Sequence, residues 1–319
     1  MTKSASRCDR ATLNGLVDQV LDAIVAHDPS RLPLATACKF TENGQRLEPG
    51  DGLWNTASAR GPYSLYFADM QAGQVGLFCT VQENGTPAML ALRLKVEGAK
   101  IAEIETLIAR DPSGAQELEK LGSPHPTLLE DTPPAARVSR AELVRISDLY
   151  FSGLERNDGH GVYPFTDDCI RVENGKPTTS NPAAPPDSGS ADASGNPPPF
   201  NWKAWGSRTQ FDLGFFRFVT RIRDRRYVVI DQERGLVLGF AFLDHAGNVP
   251  TVTLTNGITI PIGITRPWTW EVAELFKVEG GLIRRIEVVL TEAPYGMNSG
   301  WSTYKETMSS RARWQVRSK

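Results

Sequence analysis

The chain has 319 residues, room for two domains that each bury a core. Its 35 Lys and Arg against 37 Asp and Glu leave a net charge of −2, which argues against a nucleic-acid or anionic-membrane partner. No apolar run approaches the roughly 20 residues that cross a bilayer, so no membrane partner is expected either.

The first residues, MTKSASRCDRATLNGLVDQVL, turn into an amphipathic helix pattern without a hydrophobic signal core, and a cytoplasmic location is expected. Cys8, Cys38, Cys79 and Cys169 have no CxxC spacing and sit among apolar residues, the pattern of buried free thiols. In chain order the pattern then states itself twice. Leu13, Leu16, Leu21, Ile24 and Asp28 recur as Leu143, Ile146, Phe151, Leu154 and Asp158, at an offset of 130. Their three- and four-residue spacing is the apolar stripe of a helix. Cys38, Glu42, Asn43 and Gly44 recur as Cys169, Glu173, Asn174 and Gly175 at 131, with Asn-Gly as a hairpin signal. Asp69 and Gly73 match Asp231 and Gly235 at 162, between strands near 65–69 and 75–82 and their echoes at 227–231 and 236–244. LKVEGAKIAEIE from Leu94 matches FKVEGGLIRRIE from Phe276 at 182, a terminal hairpin of long strands.

Helices first and a strand meander afterwards, twice over, predict an α+β fold with helices packed on a curved antiparallel sheet in each copy. The expected limits are 1–110 for the first copy, 111–138 for a Pro-bearing linker, 139–301 for the second copy and 302–319 for a basic tail. The second copy is longer by about fifty residues. Residues 176–200, rich in Pro, Ser, Gly and Ala, read as a flexible excursion or lid, and 248–267, with Asn256-Gly257, as an added hairpin.

The helix with its Asp turn, the ENG hairpin and the terminal K-V-E-G-x-x-I-x-x-I-E hairpin resemble the SnoaL-like branch of the nuclear-transport-factor-2-like superfamily. Arg-Asp-Arg-Arg, Asp-Gln-Glu-Arg-Gly-Leu-Val and Pro-Tyr-Gly-Met-x-Ser-Gly-Trp in the second half look like a tandem-duplicated member of that branch. The resemblance implies two cone-shaped domains. Because the superfamily dimerises through its sheet, it also implies an internal pseudo-dimer, with further homo-oligomers open. It implies no single activity, since this cone serves isomerases, dehydratases, cyclases, hydrolases and plain binding modules.

Comparison of the copies singles out a site. Residues shared by both copies serve the shared fold. Asp231, Glu173 and Asn174 thus read as turn residues, and Lys277, Glu279 and Glu287 as solvated hairpin charges. Strand alternation puts Trp270, Val272, Glu274, Phe276 and Val278 on one face, opposite the all-apolar Ala88, Leu90, Leu92, Leu94 and Val96. Glu274 replaces Leu92, Arg171 replaces Phe40 and Tyr150 replaces Val20, so these three are the expected catalytic residues. A buried carboxyl with a raised pKa suits a general acid or base, with Tyr150 and Arg171 stabilising an oxyanion. The ketosteroid isomerase pattern of the same superfamily supplies the template by analogy.

Asp168, His160, Tyr163, Arg221 and Trp270 are expected to contact substrate. His245 reads as part of a turn, and Arg221, Arg223, Arg225 and Arg226 read as a solvated basic face, with Arg221 an anion receiver. Five Trp residues in or beside copy two suit an apolar pocket. No Gly-rich phosphate loop, HxxxH, HxH or GxSxG is present, so no cofactor and no metal is expected. The leading expectation is a cofactor-independent lyase, dehydratase or isomerase acting on a small apolar or aromatic molecule. The alternatives are a hydrolase using the same carboxylate and a non-catalytic binding module.

Overall fold

The computed structural model describes residues 8–184, 201–303 and 305. Part of the expected excursion, 185–200, lies outside the described residues, as do 304 and 306–319 of the tail. The first half runs α1 (Arg10–Val25), β1 (Leu34–Glu42), β2 (Gln45–Leu47), β3 (Ala57–Asp69), β4 (Gln74–Glu83), β5 (Thr86–Glu97) and β6 (Lys100–Ala109). Two short helices, α2 (Pro112–Leu121) and α3 (Pro126–Leu129), link it to the second half. That half runs α4 (Arg140–Arg156), β7 (Phe165–Glu173), β8 (Lys176–Pro177), α5 (Ser207–Asp212), β9 (Arg221–Asp231), β10 (Leu236–His245), β11 (Thr251–Thr253), β12 (Thr259–Pro261), β13 (Trp268–Glu279) and β14 (Leu282–Ala293).

The two principal sheets have the same topology, β2-β1-β6-β5-β4-β3 and β8-β7-β14-β13-β10-β9. Neither is purely antiparallel, because β1 runs parallel to β6 and β7 parallel to β14. The fold is α+β, with two tandem copies of a curved mixed sheet covered by a helix. Each first helix starts at a side-chain cap: Asp9 accepts from the Thr12 N–H at 2.8 Å and Ser139 from Glu142 at 3.2 Å. Asn43-Gly44 and Asn174-Gly175 each take positive φ at both positions, the type I′ turn that lets β1 and β7 double back within two residues.

Each copy has a core between its helix and the concave face of its sheet. A third core lies between the copies, where Tyr63, Leu65, Phe67 and Phe78 meet Leu238, Phe240, Ala273 and Leu275. The convex sheet faces therefore pack on each other as an internal pseudo-dimer. This overturns two sequence expectations. Lys277 and Glu287 are not solvated, because the linker covers Lys277 and the other copy covers Glu287. Lys277 donates to the carbonyls of Glu130 and Arg234 at 2.9 and 2.6 Å. The basic run is not a solvated face either: Arg223 pairs with Asp244, Arg225 with Glu155 and Arg226 with Glu105.

Asp69 and Asp231 do more than stabilise their turns. Asp231 accepts from Arg10 at 2.8 Å and from the Ala68 N–H at 3.1 Å, and Asp69 accepts from Arg140 at 2.9 Å and from the Ile230 N–H at 3.2 Å. The helix start of each copy thus clamps the strand end of the other. Both carboxylates are buried. Asp69→Ala and Asp231→Ala are each expected to cost about 3 kcal/mol, because each removes a buried carboxylate that holds an arginine and a strand N–H; Arg10 keeps Glu233, and Arg140 the Ile230 carbonyl. Urea denaturation reads it, and a cost below about 1 kcal/mol for either would contradict the reciprocal clamp.

Candidate active site

Alternation along β13 places Val272, Glu274, Phe276 and Val278 in the core of copy two, with Trp270 packed at its edge. The register sets Glu274 beside Gly239 of β10 and Val288 of β14, and Phe276 beside Ile286, which neighbours Arg171 of β7. Tyr150 descends from α4 onto the same surface, and its ring lies 5.2 Å from Phe276, 5.4 Å from Phe211 and 6.2 Å from Phe165. Glu274, Tyr150 and Arg171 are all buried. The structure brings these three together.

Their electrostatics are coupled. Burial pushes the Glu274 carboxyl up to about 8. Arg171 and a hydrogen bond from Tyr150 pull the other way, while Glu173 adds to the rise. Burial, with Glu274 next, holds the Tyr150 phenol far above its ordinary value. Arg171 stays charged: burial opposes its charge, but Tyr150, Glu173 and Glu274 outweigh burial. Its direct ion pair is with Glu173, Nε to Oε1 at 2.7 Å, and not with Glu274. Arg171 also donates to Thr178 Oγ1 at 3.1 Å and Gln210 Oε1 at 2.7 Å and lies over the Phe216 ring. Among the described residues Glu274 Oε2, Arg171 Nη1 and the Tyr163 hydroxyl are buried without a hydrogen-bond partner. Tyr163 joins the cluster through Phe211, whose ring is 5.1 Å away.

The remaining expected contacts divide. Trp270 sits at the far end of β13, edge-on to His245 at 4.8 Å. Asp168 lies exposed in the β7 bulge, and the exposed His160 follows Asp158, which accepts its N–H at 2.9 Å. Neither enters the cluster, because the bulge and the loop turn them outward. Arg221 is buried and paired with Asp244, so it is no open anion receiver.

Three participants escaped the sequence comparison. Glu173 repeats Glu42 in the sequence, yet Glu42 accepts the Leu53 N–H at 2.7 Å while Glu173 binds Arg171. Thr178 stands against Arg171 as Leu47 stands against Phe40, and Gln210 lies in the longer stretch between β8 and β9. Gln210 also donates to the carbonyls of Thr178 and Trp202, at 2.8 and 3.1 Å, and so ties that segment to Arg171. His245 is no turn residue. It ends β10 on the cone-facing parity of Gly239, stacked on Trp268 at 4.0 Å, and burial pushes its pKa down to about 4. Trp202 and Trp205, which follow the first insert, pack on the cone's core, as do Val252, Leu254 and Ile260 at and beside the β11–β12 hairpin.

Glu274 makes a pH prediction. Its folded pKa of about 8 lies above the ordinary 4.5, so the protonated carboxyl favours the fold. That contribution is complete below pH 4.5 and is lost as pH rises through 8. Glu271, raised to about 8 by burial and then by Glu105, acts in the same window. Glu274→Gln is expected to remove on the order of 2–4 kcal/mol of the stability loss between those limits. Parallel pH profiles of urea stability for parent and variant would refute it.

Among the described residues no cluster of His, Cys, Asp and Glu could hold a metal ion, and no helix is long and apolar enough to cross a membrane. Solved structures similar to parts of this chain include a putative hydroxylase, AclR, from Streptomyces galilaeus, at 16% identity over 40% of this chain and 92% of that one, TM-score 0.27. PrhC from Penicillium brasilianum NBRC 6234 is 11% identical over 35% of this chain and 92% of its own, TM-score 0.26. An NTF2-like protein of unknown function from Cytophaga hutchinsonii ATCC 33406 is 13% identical over 35% and 96%, TM-score 0.25. No curated protein matches the sequence. The family described as Domain of unknown function (DUF8021) matches residues 6–108 and 136–290, and the chain belongs to that family.

Proposed function

We propose that copy two is a SnoaL-like acid–base enzyme, a lyase, dehydratase or isomerase, for a small, largely apolar or aromatic molecule. In this reading copy one is its structural partner. The observation that carries the reading is the pair of unpartnered buried atoms, Glu274 Oε2 and Arg171 Nη1, in an aromatic-walled cone. A buried polar atom left unpaired costs about 1–3 kcal/mol, and a ligand oxygen would satisfy both. Copy one has Leu92 and Phe40 at these places and bears no such cost. With its pKa near 8, Glu274 is mostly protonated at neutral pH. It would donate its proton to a carbonyl oxygen or a departing hydroxyl, and its conjugate base would take one from carbon. Tyr150 and Arg171 would hold the developing oxyanion. A cytoplasmic setting fits the free thiols.

A binding or structural module is the second reading. What favours it is the close ring packing around Tyr150 and the three partners that already hold Arg171. Glu274→Leu, which restores the residue of copy one, separates the readings. A thermal-shift screen of enones, β-hydroxy acids and aromatic ketones should yield ligands that bind the parent and not this variant. If every hit binds both equally, the enzyme reading fails.

A further inference from the structure

The interface between the copies is nearly two-fold, and its departure from symmetry points to a second site. After β6 the chain crosses to the other copy, and α2 packs on the β7–β8 turn, with Leu118 close to Gly175. After β14 the chain crosses back, and Met297 and Asn298 pack on the matching Gly44. Beneath each crossing lies the same position of the last strand, Glu105 in β6 and Glu287 in β14, opposite Arg93 and Leu275.

On the Glu105 side the carboxylate has two arginines. Glu105 accepts from Arg93 at 2.8 Å and from Arg226 at 2.6 Å, and together they hold its pKa down despite burial. Trp301 roofs the group, its ring 4.7 Å from the Arg93 guanidinium and 4.0 Å from Lys39 Nζ.

On the Glu287 side the roof is lacking. A cavity of about 520 Å³ opens there beneath α2 and α3, with Tyr63, Arg285 and Glu287 on its wall and Leu118, Val172 and Pro126 among its apolar lining. That volume lies in the range of small-molecule sites. Glu287 is buried with one arginine in place of two, its Oε1 accepting from Arg285 Nε at 2.7 Å, and its pKa is raised by burial. The terminal nitrogens of Arg285 have no partner among the described residues. Glu117, at the rim, is tied to Lys120 at 2.7 Å, and burial, with Arg285 next, lowers the pKa of His125. The donors left on the wall are the outer edge of the Arg285 guanidinium and the Tyr63 phenol; Glu287 Oε2 is an acceptor beside them, and the raised pKa of that carboxyl reduces the charge it sets against an anion.

We propose that this cavity binds a small, largely apolar carboxylic acid, its carboxylate received by Arg285 with Tyr63 beside it and its chain lying against Leu118 and Val172. Two parallel N–H groups match two carboxylate oxygens, which an alcohol or an amine does not offer. The site is separate from the cone and does not rest on the acid–base reading.

Titration calorimetry with octanoate, 1-octanol and octylamine on the full chain tests it. Octanoate should bind, 1-octanol at least about tenfold more weakly, and octylamine not measurably. Leu118→Trp, which fills the cavity as Trp301 fills its counterpart, should abolish octanoate binding. The double variant Arg285→Gln with Glu287→Gln keeps shape, leaves no lone buried charge and should weaken binding by about tenfold or more. Glu274→Leu should leave octanoate binding unchanged. The proposal is overturned if octanoate does not bind the parent or if octylamine binds as well. It also fails if the double variant, with an unaltered circular dichroism spectrum, binds like the parent, or if Glu274→Leu abolishes binding and so moves octanoate to the cone.

Discussion

Asp244→Ala is expected to lower the unfolding free energy by about 3–5 kcal/mol, the largest stability loss foreseen for one substitution here. Asp244 is fully buried near the end of β10. It accepts from Arg223 at 2.7 and 3.1 Å, from Arg221 and from Thr269 Oγ1 at 2.6 Å. One carboxylate therefore holds two β9 arginines and one β13 side chain, joining three neighbouring strands. Without it two guanidinium groups stay buried beside each other with no shared counter-charge. Equilibrium urea denaturation measures the loss. Asp244→Asn retains hydrogen-bonding atoms but not the charge, so it should recover less than half of it. If Asp244→Ala costs under about 1 kcal/mol, the arrangement is not the strand clamp described.

Glu274→Gln should lower kcat about 10²–10⁴-fold on whatever substrate the screen identifies, with KM changed far less. Glutamine preserves the shape and the contact with Tyr150 but cannot carry the proton. The parent's rate should show a pH limb near 8, set by burial of the Glu274 carboxyl, and the variant should lack it. A variant that turns over within about threefold of the parent would remove Glu274 from the chemistry. Loss of the limb without loss of rate below it would assign Glu274 to substrate positioning.

The chemistry-bearing differences between copies were legible because β-strands alternate strictly. Leu92 against Glu274 and Phe40 against Arg171 could be placed on the concave face by counting twos, and the register bears the count out. His245 was open to the same count, six residues from Gly239 along β10, but the neighbouring Ala-Gly resembled a turn. Thr178 was open to comparison too, since it stands to Leu47 as Arg171 stands to Phe40. Gln210 was not legible: it lies in the longer stretch between β8 and β9, and nothing in its composition says which turn reaches Arg171.

Local pattern by itself determined the duplicated order of helix, Asn-Gly hairpin and terminal meander, and the polar substitutions inside one apolar stripe. Periodicity and turn chemistry act between residues close in the chain, so they are written in it directly. Only the tertiary structure decided what covers the convex faces. There Glu287 and Arg226, polar residues that alternation pointed away from their own core, met Tyr63 and Glu105 of the other copy and not water, and Lys277 met the linker. A single strand carries no record of what lies on its far side. That depends on two sheets distant in sequence closing over one another, and this closure creates both the clamped carboxylates and the cavity beside Arg285.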